Sequence, residues 1–123
     1  LLILFFSVRC PGCKSRAIPF SKEMARVFPE LKIVGIHTKI DKADISKEQI
    51  EGIRQLYKIP YPVYKDREKD SYQLLQAEGT PHWILIDRQG KVDRSIFGSM
   101  PNSLQRLDYS ITELFQRDKP PSG

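Results

Sequence analysis

The chain begins with an unbroken apolar run. Residues 1–6 read LLILFF, a pattern typical of a parallel strand that is buried on both faces. Between residues 11 and 28, apolar residues recur at spacings of three and four, which predicts a helix that ends before Pro29. Residues 31–38 (LKIVGIHT) predict a second strand. Together these segments predict a β-α-β unit.

Residues 41–78 predict a helical insertion after this unit. Ser46 and Gln49 have the spacing of a capping box, so a helix is expected to begin there. Residues 61–66 (YPVYKD) predict a short extended piece, and residues 71–76 a short helix.

Two strands and a closing helix are predicted next. Residues 81–87 (PHWILID) and 91–97 (KVDRSIF) are joined by the turn RQG, and so short a connection makes the two strands antiparallel. The second strand is more polar, which suits a sheet edge. Asn102 is expected to cap the closing helix, whose apolar stripe runs to Phe115. The predicted order is therefore β-α-β, a helical insertion, then β-β-α.

Composition limits the kind of protein. At 123 residues, the chain fits one domain, predicted over residues 1–117, with a flexible tail at 118–123. The net charge of +5 comes from basic residues scattered among acids, so no nucleic-acid surface is predicted. No apolar run approaches the roughly 20 residues of a membrane span. Because the chain starts without Met inside a predicted strand, a processed or truncated form is expected.

The two cysteines lie where the first strand meets the first helix. Pro11 suits the first helical position, so Cys10 is expected at the N-cap, facing unpaired N–H groups and the positive end of the helix dipole. A thiolate is stabilised there, and Arg9 and Lys14 add positive charge. Cys13 is expected one turn further in and less exposed. The pattern predicts an outer attacking sulfur on Cys10 and an inner resolving sulfur on Cys13.

A Cys-x-x-Cys motif in a β-α-β unit is typical of thioredoxin-like redox proteins. The segments FFSVRCPGCKS, LKIVGIHT and GTPHWILIDRQGKV resemble the TlpA/ResA-type thioredoxin-like thiol-disulfide oxidoreductases of the redoxin superfamily. The resemblance covers residues 1 to about 117, including the insertion. It implies an α/β thioredoxin fold with a central mixed sheet and helices on both faces. It also implies exchange of disulfides with protein substrates, without a cofactor, since the cysteine pair is itself the redox centre.

The resemblance also implies a second part of the site. Pro81 would be a cis-proline packed against the active-site cysteines, and the backbone of Thr80 would pair with a bound substrate strand. His82 follows Pro81 and is a candidate for moving a proton at the sulfurs, although a structural strand histidine is the favoured interpretation. With Arg9 and Lys14, it completes the candidates for tuning the acidity of the pair.

Four positions depart from the pattern of the family. Arg9 stands where an aromatic residue usually precedes the first cysteine. Leu4 and Arg16 stand where thioredoxins and the ResA type, respectively, carry an acid. Pro19 lies one residue later than the usual helix proline, which predicts a local bulge or a different kink. These changes leave the fold prediction intact and leave the reduction potential open.

Two alternatives remain at the level of sequence. A peroxiredoxin-like thiol peroxidase would use Cys13 as the peroxidatic sulfur, because CPGC resembles the T-P-G-C motif, but Cys10 replaces the Thr and Phe6 replaces an expected Pro. A metal-binding thioredoxin-fold protein would use both cysteines with a histidine. Structural zinc sites usually need four ligands, and His37 and His82 are single and distant in sequence, so this alternative ranks last.

The expected partners are protein thiols or disulfides and an upstream electron donor or acceptor, and a monomer is expected. Two cysteines, both in the motif, are compatible with the cytosol or with an oxidising compartment. The resemblance implies the bacterial cell envelope, that is, a periplasmic or extracytoplasmic location.

Overall fold

The computed structural model describes residues 1–39 and 45–117, which form a mixed α/β arrangement. The strands are β1 (Leu2–Phe6), β2 (Ile33–His37), β3 (Val63–Lys65), β4 (His82–Ile86) and β5 (Val92–Phe97). The helices are α1 (Ile18–Val27), α2 (Lys47–Leu56), α3 (Asp70–Leu74) and α4 (Pro101–Arg117), with a π-helical turn at Cys13–Ala17 and a 3-10 turn at Arg67–Lys69.

The five strands form one mixed sheet in the order β3-β2-β1-β4-β5. β1 is parallel to β2 and antiparallel to β4. β2 pairs in parallel with β3, and β4 pairs in antiparallel with β5. β1 is central and all five of its residues are buried, while β5 forms an edge. The predicted buried first strand and polar edge strand are therefore confirmed.

Helices cover both faces of the sheet. On one face, alternate residues of β1 pack with α1, α4 and the two cysteines in the larger apolar cluster. On the other face, Ile3 and Phe5 of β1 pack with Ile84 and, from α3 and the residue after it, Tyr72 and Leu75. The two clusters follow from the alternation of side chains along a strand. The predicted mixed sheet with helices on both faces is confirmed.

The helix after the motif contains the predicted bulge. The backbone N–H of Ile18 donates to the carbonyl of Cys13, five residues back, which is the π-helical pattern. Pro19 has no N–H, and the π-turn places it in the first turn of α1, where a missing donor costs least. The one-residue displacement of Pro19 is thus absorbed between Cys13 and Ala17.

The two predicted helix starts have different outcomes. The capping box of α2 is present: Gln49 N donates to Ser46 Oγ at 3.1 Å, and Ser46 N donates to Gln49 Oε1 at 2.8 Å. The prediction that Asn102 caps α4 is wrong. The helix begins one residue earlier, at Pro101, whose fixed φ suits the first helical position.

Within residues 1–39 and 45–117, no helix is long and apolar enough to cross a membrane. The start of the predicted insertion at residue 41 and the predicted tail at 118–123 lie outside the described residues. The domain boundaries remain a prediction.

Asp66 organises the region between β3 and α3. Its carboxylate is buried and accepts hydrogen bonds from Thr38 Oγ1 (3.1 Å), Ser71 N (2.9 Å) and Tyr72 N (3.1 Å). We expect Asp66→Asn to lower the free energy of unfolding by about 1–3 kcal/mol. The NH2 group that replaces one carboxylate oxygen cannot accept a hydrogen bond, so at least one of the three donors loses its partner. Urea denaturation measures this loss.

Asp70, which is exposed, offers a matched control for that substitution. We expect Asp70→Asn to change the free energy of unfolding by less than about 0.5 kcal/mol. Equal effects of the two substitutions would contradict the role of the Asp66 carboxylate.

Candidate functional site

The motif turn begins directly after β1. The buried Ser7 accepts from two backbone N–H groups, Cys10 N on its carbonyl (3.0 Å) and Arg9 N on its hydroxyl (3.2 Å). The Cys10 carbonyl then accepts from Cys13 N at 3.1 Å and Lys14 N at 3.3 Å. The first helical bonds therefore start from Cys10, as the sequence predicts.

The two sulfurs have different environments. Cys10 Sγ accepts from Cys13 N at 3.2 Å and donates to the Thr80 carbonyl at 3.4 Å. Cys10 is 7% exposed and Cys13 is fully buried, and both are free thiols. Cys10 lies nearer to solvent, so it is the sulfur that a partner can reach first.

Burial raises the pKa of the Cys13 thiol far above its ordinary value, and its hydrogen bond with Cys10 acts in the same direction. Opposing contributions come from Ser7 and Thr80. Among the described residues, no carboxylate contributes to this pKa. Cys13 is therefore a neutral thiol at neutral pH in the reduced protein.

The loop before β4 lies against the motif. The Thr80–Pro81 peptide bond is cis, and the Thr80 carbonyl receives the hydrogen bond from Cys10. Pro81 is buried, and its carbonyl accepts from Gly98 N at 2.8 Å. The structure thus brings Thr80 to Cys10, and Pro81 follows Thr80 in the chain.

A third segment, the turn between β5 and α4, completes the site. A Cβ added at Gly12 would lie 2.8 Å from Ser99 Oγ, so this turn packs closely on the motif. Trp83 Nε1 donates to the Gly98 carbonyl at 3.0 Å. The exposed Met100 accepts from Arg16 Nη1 at 3.2 Å. The site therefore has three walls, and the motif forms only one of them.

No motif in the sequence predicted this third wall. The signal was available in the topology: β4 runs antiparallel to β1 and β5 antiparallel to β4. β5 therefore runs in the same direction as β1. Its last residue lies at the end of the sheet where β1 finishes and the motif begins. The GSMP turn after β5 could have been assigned to the site on that basis.

The three residues that the sequence suggested for tuning the acidity of the cysteine pair differ in their distance from it. Arg9 and Lys14 are exposed beside the cysteines. His82 is on the opposite face of β4 from Trp83, which packs with the cysteines. Its Nδ1 accepts from Glu78 N at 3.2 Å, and its Nε2 bonds to Ser95 Oγ at 2.7 Å. The structure does not bring His82 to the sulfurs.

The departures from the family pattern have structural consequences. Leu4 is fully buried in the cluster that contains Cys13, and Arg16 is directed to Met100. Neither position supplies a carboxylate to the inner thiol. In residues 1–39 and 45–117, no group of three or more His, Cys, Asp or Glu side chains could hold a metal ion.

Solved structures that resemble the chain are thioredoxin-like. A thioredoxin-like superfamily protein is 27% identical, with a TM-score of 0.84 over 97% of this chain and 81% of that chain. A thiol-disulfide isomerase from Corynebacterium glutamicum is 25% identical, with a TM-score of 0.82 over 92% of this chain and 78% of that chain. A secreted disulfide oxidoreductase from Mycobacterium tuberculosis, 18% identical with a TM-score of 0.71 over 92% of this chain and 80% of that chain, shares the fold.

No protein-family model and no curated protein matches the chain. The fold is that of thioredoxin-like proteins. The predicted class, thioredoxin-like thiol-disulfide oxidoreductases, is confirmed by the solved structures. These structures do not favour the peroxidase alternative.

Proposed function

We propose that this protein exchanges disulfides with protein substrates, with Cys10 as the nucleophile and Cys13 as the resolving thiol. The observation that carries the proposal is the asymmetry of the pair: Cys10 lies at the start of the helix with Cys13 N on its sulfur, and Cys13 is fully buried. An attacking thiolate has to be reachable, whereas a resolving thiol has to reach only its neighbour.

In the reductive direction, the Cys10 thiolate attacks one sulfur of a substrate disulfide. The substrate S–S bond breaks, a mixed disulfide forms at Cys10, and the other substrate sulfur leaves as a thiolate. Cys13 then loses its proton and attacks Cys10 Sγ. The second substrate thiolate leaves, and the protein holds a Cys10–Cys13 disulfide. One substrate disulfide becomes two thiols, and the same steps in reverse oxidise a dithiol.

The walls of the site have roles in this proposal. The Thr80 carbonyl lies at hydrogen-bond distance from Cys10, so a substrate strand lying along Thr80 and Pro81 would present its sulfur to Cys10. Arg9 and Lys14 place exposed positive charge beside the cysteines, and salt would screen its effect on the exchange reaction. A separate electron donor or acceptor would return the pair to its starting state.

We also propose an extracytoplasmic location and a monomeric state. The location is supported by the secreted Mycobacterium tuberculosis oxidoreductase that shares the fold.

Two assays with the same protein test the activity. We expect the protein to accelerate the reduction of a disulfide-containing protein by dithiothreitol and to consume hydrogen peroxide no faster than a sample alkylated with iodoacetamide. Rapid peroxide consumption without catalysed disulfide reduction would contradict the proposal and support the peroxidase. The reduction potential then assigns direction, since roughly −270 mV indicates a reductant and roughly −120 mV an oxidant.

A further inference from the structure

Two loops on either side of Cys10 are held in the same unusual way, by a buried histidine ring that accepts a backbone hydrogen bond. Val8 N donates to His37 Nε2 at 3.2 Å. Glu78 N donates to His82 Nδ1 at 3.2 Å. The chain contains two histidines in all, and the catalytic steps above use neither of them.

Each of these loops also contacts Cys10. Ser7, next to Val8, accepts the hydrogen bond of Cys10 N. Thr80, two residues after Glu78, accepts that of Cys10 Sγ. A shift of either loop would therefore move a group that is bonded to Cys10.

An imidazole ring can accept a hydrogen bond only while it is neutral, because both nitrogens carry a proton in the cation. His37 and His82 are buried, with exposures of 5% and 2%. The Nε2 of His82 is already occupied by Ser95, so the ring has no free alternative arrangement. Protonation would set an N–H of each ring against a backbone N–H.

We propose that His37 and His82 are positioning residues for the exchange reaction: as neutral rings they hold the two loops at Cys10, and protonation releases both loops. The inference rests on the proposed function. Disulfide-exchange activity should therefore fall in weakly acidic solution, and this fall should be larger than the one caused by protonation of the attacking thiolate alone.

The surroundings of His37 favour the neutral ring. Burial lowers its pKa, a hydrogen bond with its own backbone raises it to a smaller extent, and the positive charge of Lys65, its register partner on β3, adds a further small lowering. Asp66 follows on β3, but its carboxylate is occupied by three donors. From β1, the ring of Phe6 packs edge-on at 5.5 Å.

The surroundings of His82 have opposing effects on its pKa. Burial lowers its pKa, and the negative charge of Glu78 raises it to a smaller extent. On the β5 side the ring meets Ser95 and Phe97, and on β1 it lies opposite Phe5 in register. Because both histidine pKa values are lowered, both rings are neutral above the ordinary value of about 6.5, and the loops are released as pH falls through the lower folded values.

Gln and Asn provide test substitutions for the two histidines, because their side-chain amide oxygens can accept the same hydrogen bonds. In His37→Gln the amide oxygen extends as far as Nε2, and in His82→Asn it takes the place of Nδ1, so each variant keeps an acceptor that does not titrate. His37→Leu and His82→Leu remove the acceptor. At about pH 7.5 we expect the amide variants to retain kcat/KM within about twofold and each Leu variant to lose about tenfold to a hundredfold, because a shift of about 1 Å at a reacting centre costs up to about a hundredfold.

The pH profile separates positioning from a merely structural role. We divide activity at each pH by the thiolate fraction measured from ultraviolet absorbance. As pH falls below the ordinary histidine value of about 6.5, we expect this corrected activity to fall further in the wild type than in the His37→Gln/His82→Asn double variant. Coinciding corrected profiles would overturn the inference. Should the Leu variants fail to fold, as circular dichroism would show, the comparison of wild type with the double variant still decides.

A second readout does not require exchange activity. The amide hydrogens of Val8 and Glu78, followed by NMR in the reduced protein, are expected to lose protection from exchange in the wild type as pH falls below the ordinary histidine value of about 6.5, but not in the double variant. Retained protection in the wild type would overturn the inference while leaving the proposed function intact. Lost protection in a protein that exchanges no disulfides would overturn the proposed function alone.

Discussion

Cys13→Ser is expected to accumulate a mixed disulfide with its substrate, whereas Cys10→Ser is expected to reduce disulfides no faster than buffer. Removing Cys10 leaves only the sulfur of Cys13, which is fully buried and out of reach of a partner. Removing Cys13 leaves the first attack intact but deletes the neighbour that resolves the adduct. Intramolecular groups act at effective concentrations of about 10⁵ M or more, so free thiols at millimolar concentration resolve the adduct slower by several orders of magnitude.

The measurement is a non-reducing gel and mass spectrometry of each variant after incubation with a disulfide-containing protein. The adduct should form on Cys13→Ser, should disappear with dithiothreitol, and should be absent from Cys10→Ser and from the double variant, which serves as the control. The assignment of roles fails if Cys10→Ser forms the adduct and Cys13→Ser does not. If neither forms one and both match the wild type in disulfide reduction, the proposed chemistry itself is wrong.

Trp83→Ala is expected to lower the free energy of unfolding by about 3–5 kcal/mol, the usual cost of truncating a buried Trp. Trp83 is fully buried, packs edge-on against Phe20 and donates to the Gly98 carbonyl. The substitution would remove packing under the motif and the bond that holds the third wall of the site. We therefore expect a loss of exchange activity as well as a loss of stability.

Trp83→Phe separates the two contributions. It keeps most of the ring packing and deletes the hydrogen bond to Gly98, so we expect a loss of about 1–2 kcal/mol. Tyr109→Ala is the control, because Tyr109 is 71% exposed and should change stability by less than about 0.5 kcal/mol. Chemical denaturation followed by circular dichroism serves all three variants. A Trp83→Phe protein as unstable as Trp83→Ala would show that the hydrogen bond, and not the packing, dominates.

The parts of the fold that could be predicted from the sequence are those with a local or periodic signal. The apolar run of β1 and the Ser46–Gln49 capping box each predicted an element that the structure contains. The position of Cys10 at the helix start followed from Pro11, because proline suits the first helical position. The same rule, applied at Pro101, would have corrected the expectation for Asn102.

The parts of the site that could not be predicted depend on contacts between distant segments. Gly12 and Ser99 are far apart in sequence. They come together only because β5 and β1 run in the same direction and finish at the same end of the sheet, where the motif begins. The face of β4 on which His82 lies could not be predicted either. β4 is buried on both faces, so its sequence shows no alternation of apolar and polar residues. Only the pairing of β4 with β1 and β5 assigns His82 to the face away from the cysteines.

The π-turn at Cys13–Ala17 changes how this chain has to be aligned with other proteins of its fold. One additional residue in a helix rotates everything after it by about 100° relative to everything before it. An alignment that superimposes the two cysteines without a gap therefore assigns the wrong face of α1 to the core. Against a protein whose helix proline lies one residue nearer to its second cysteine, a one-residue gap between Lys14 and Ala17 restores both the cysteines and Pro19 to equivalent positions.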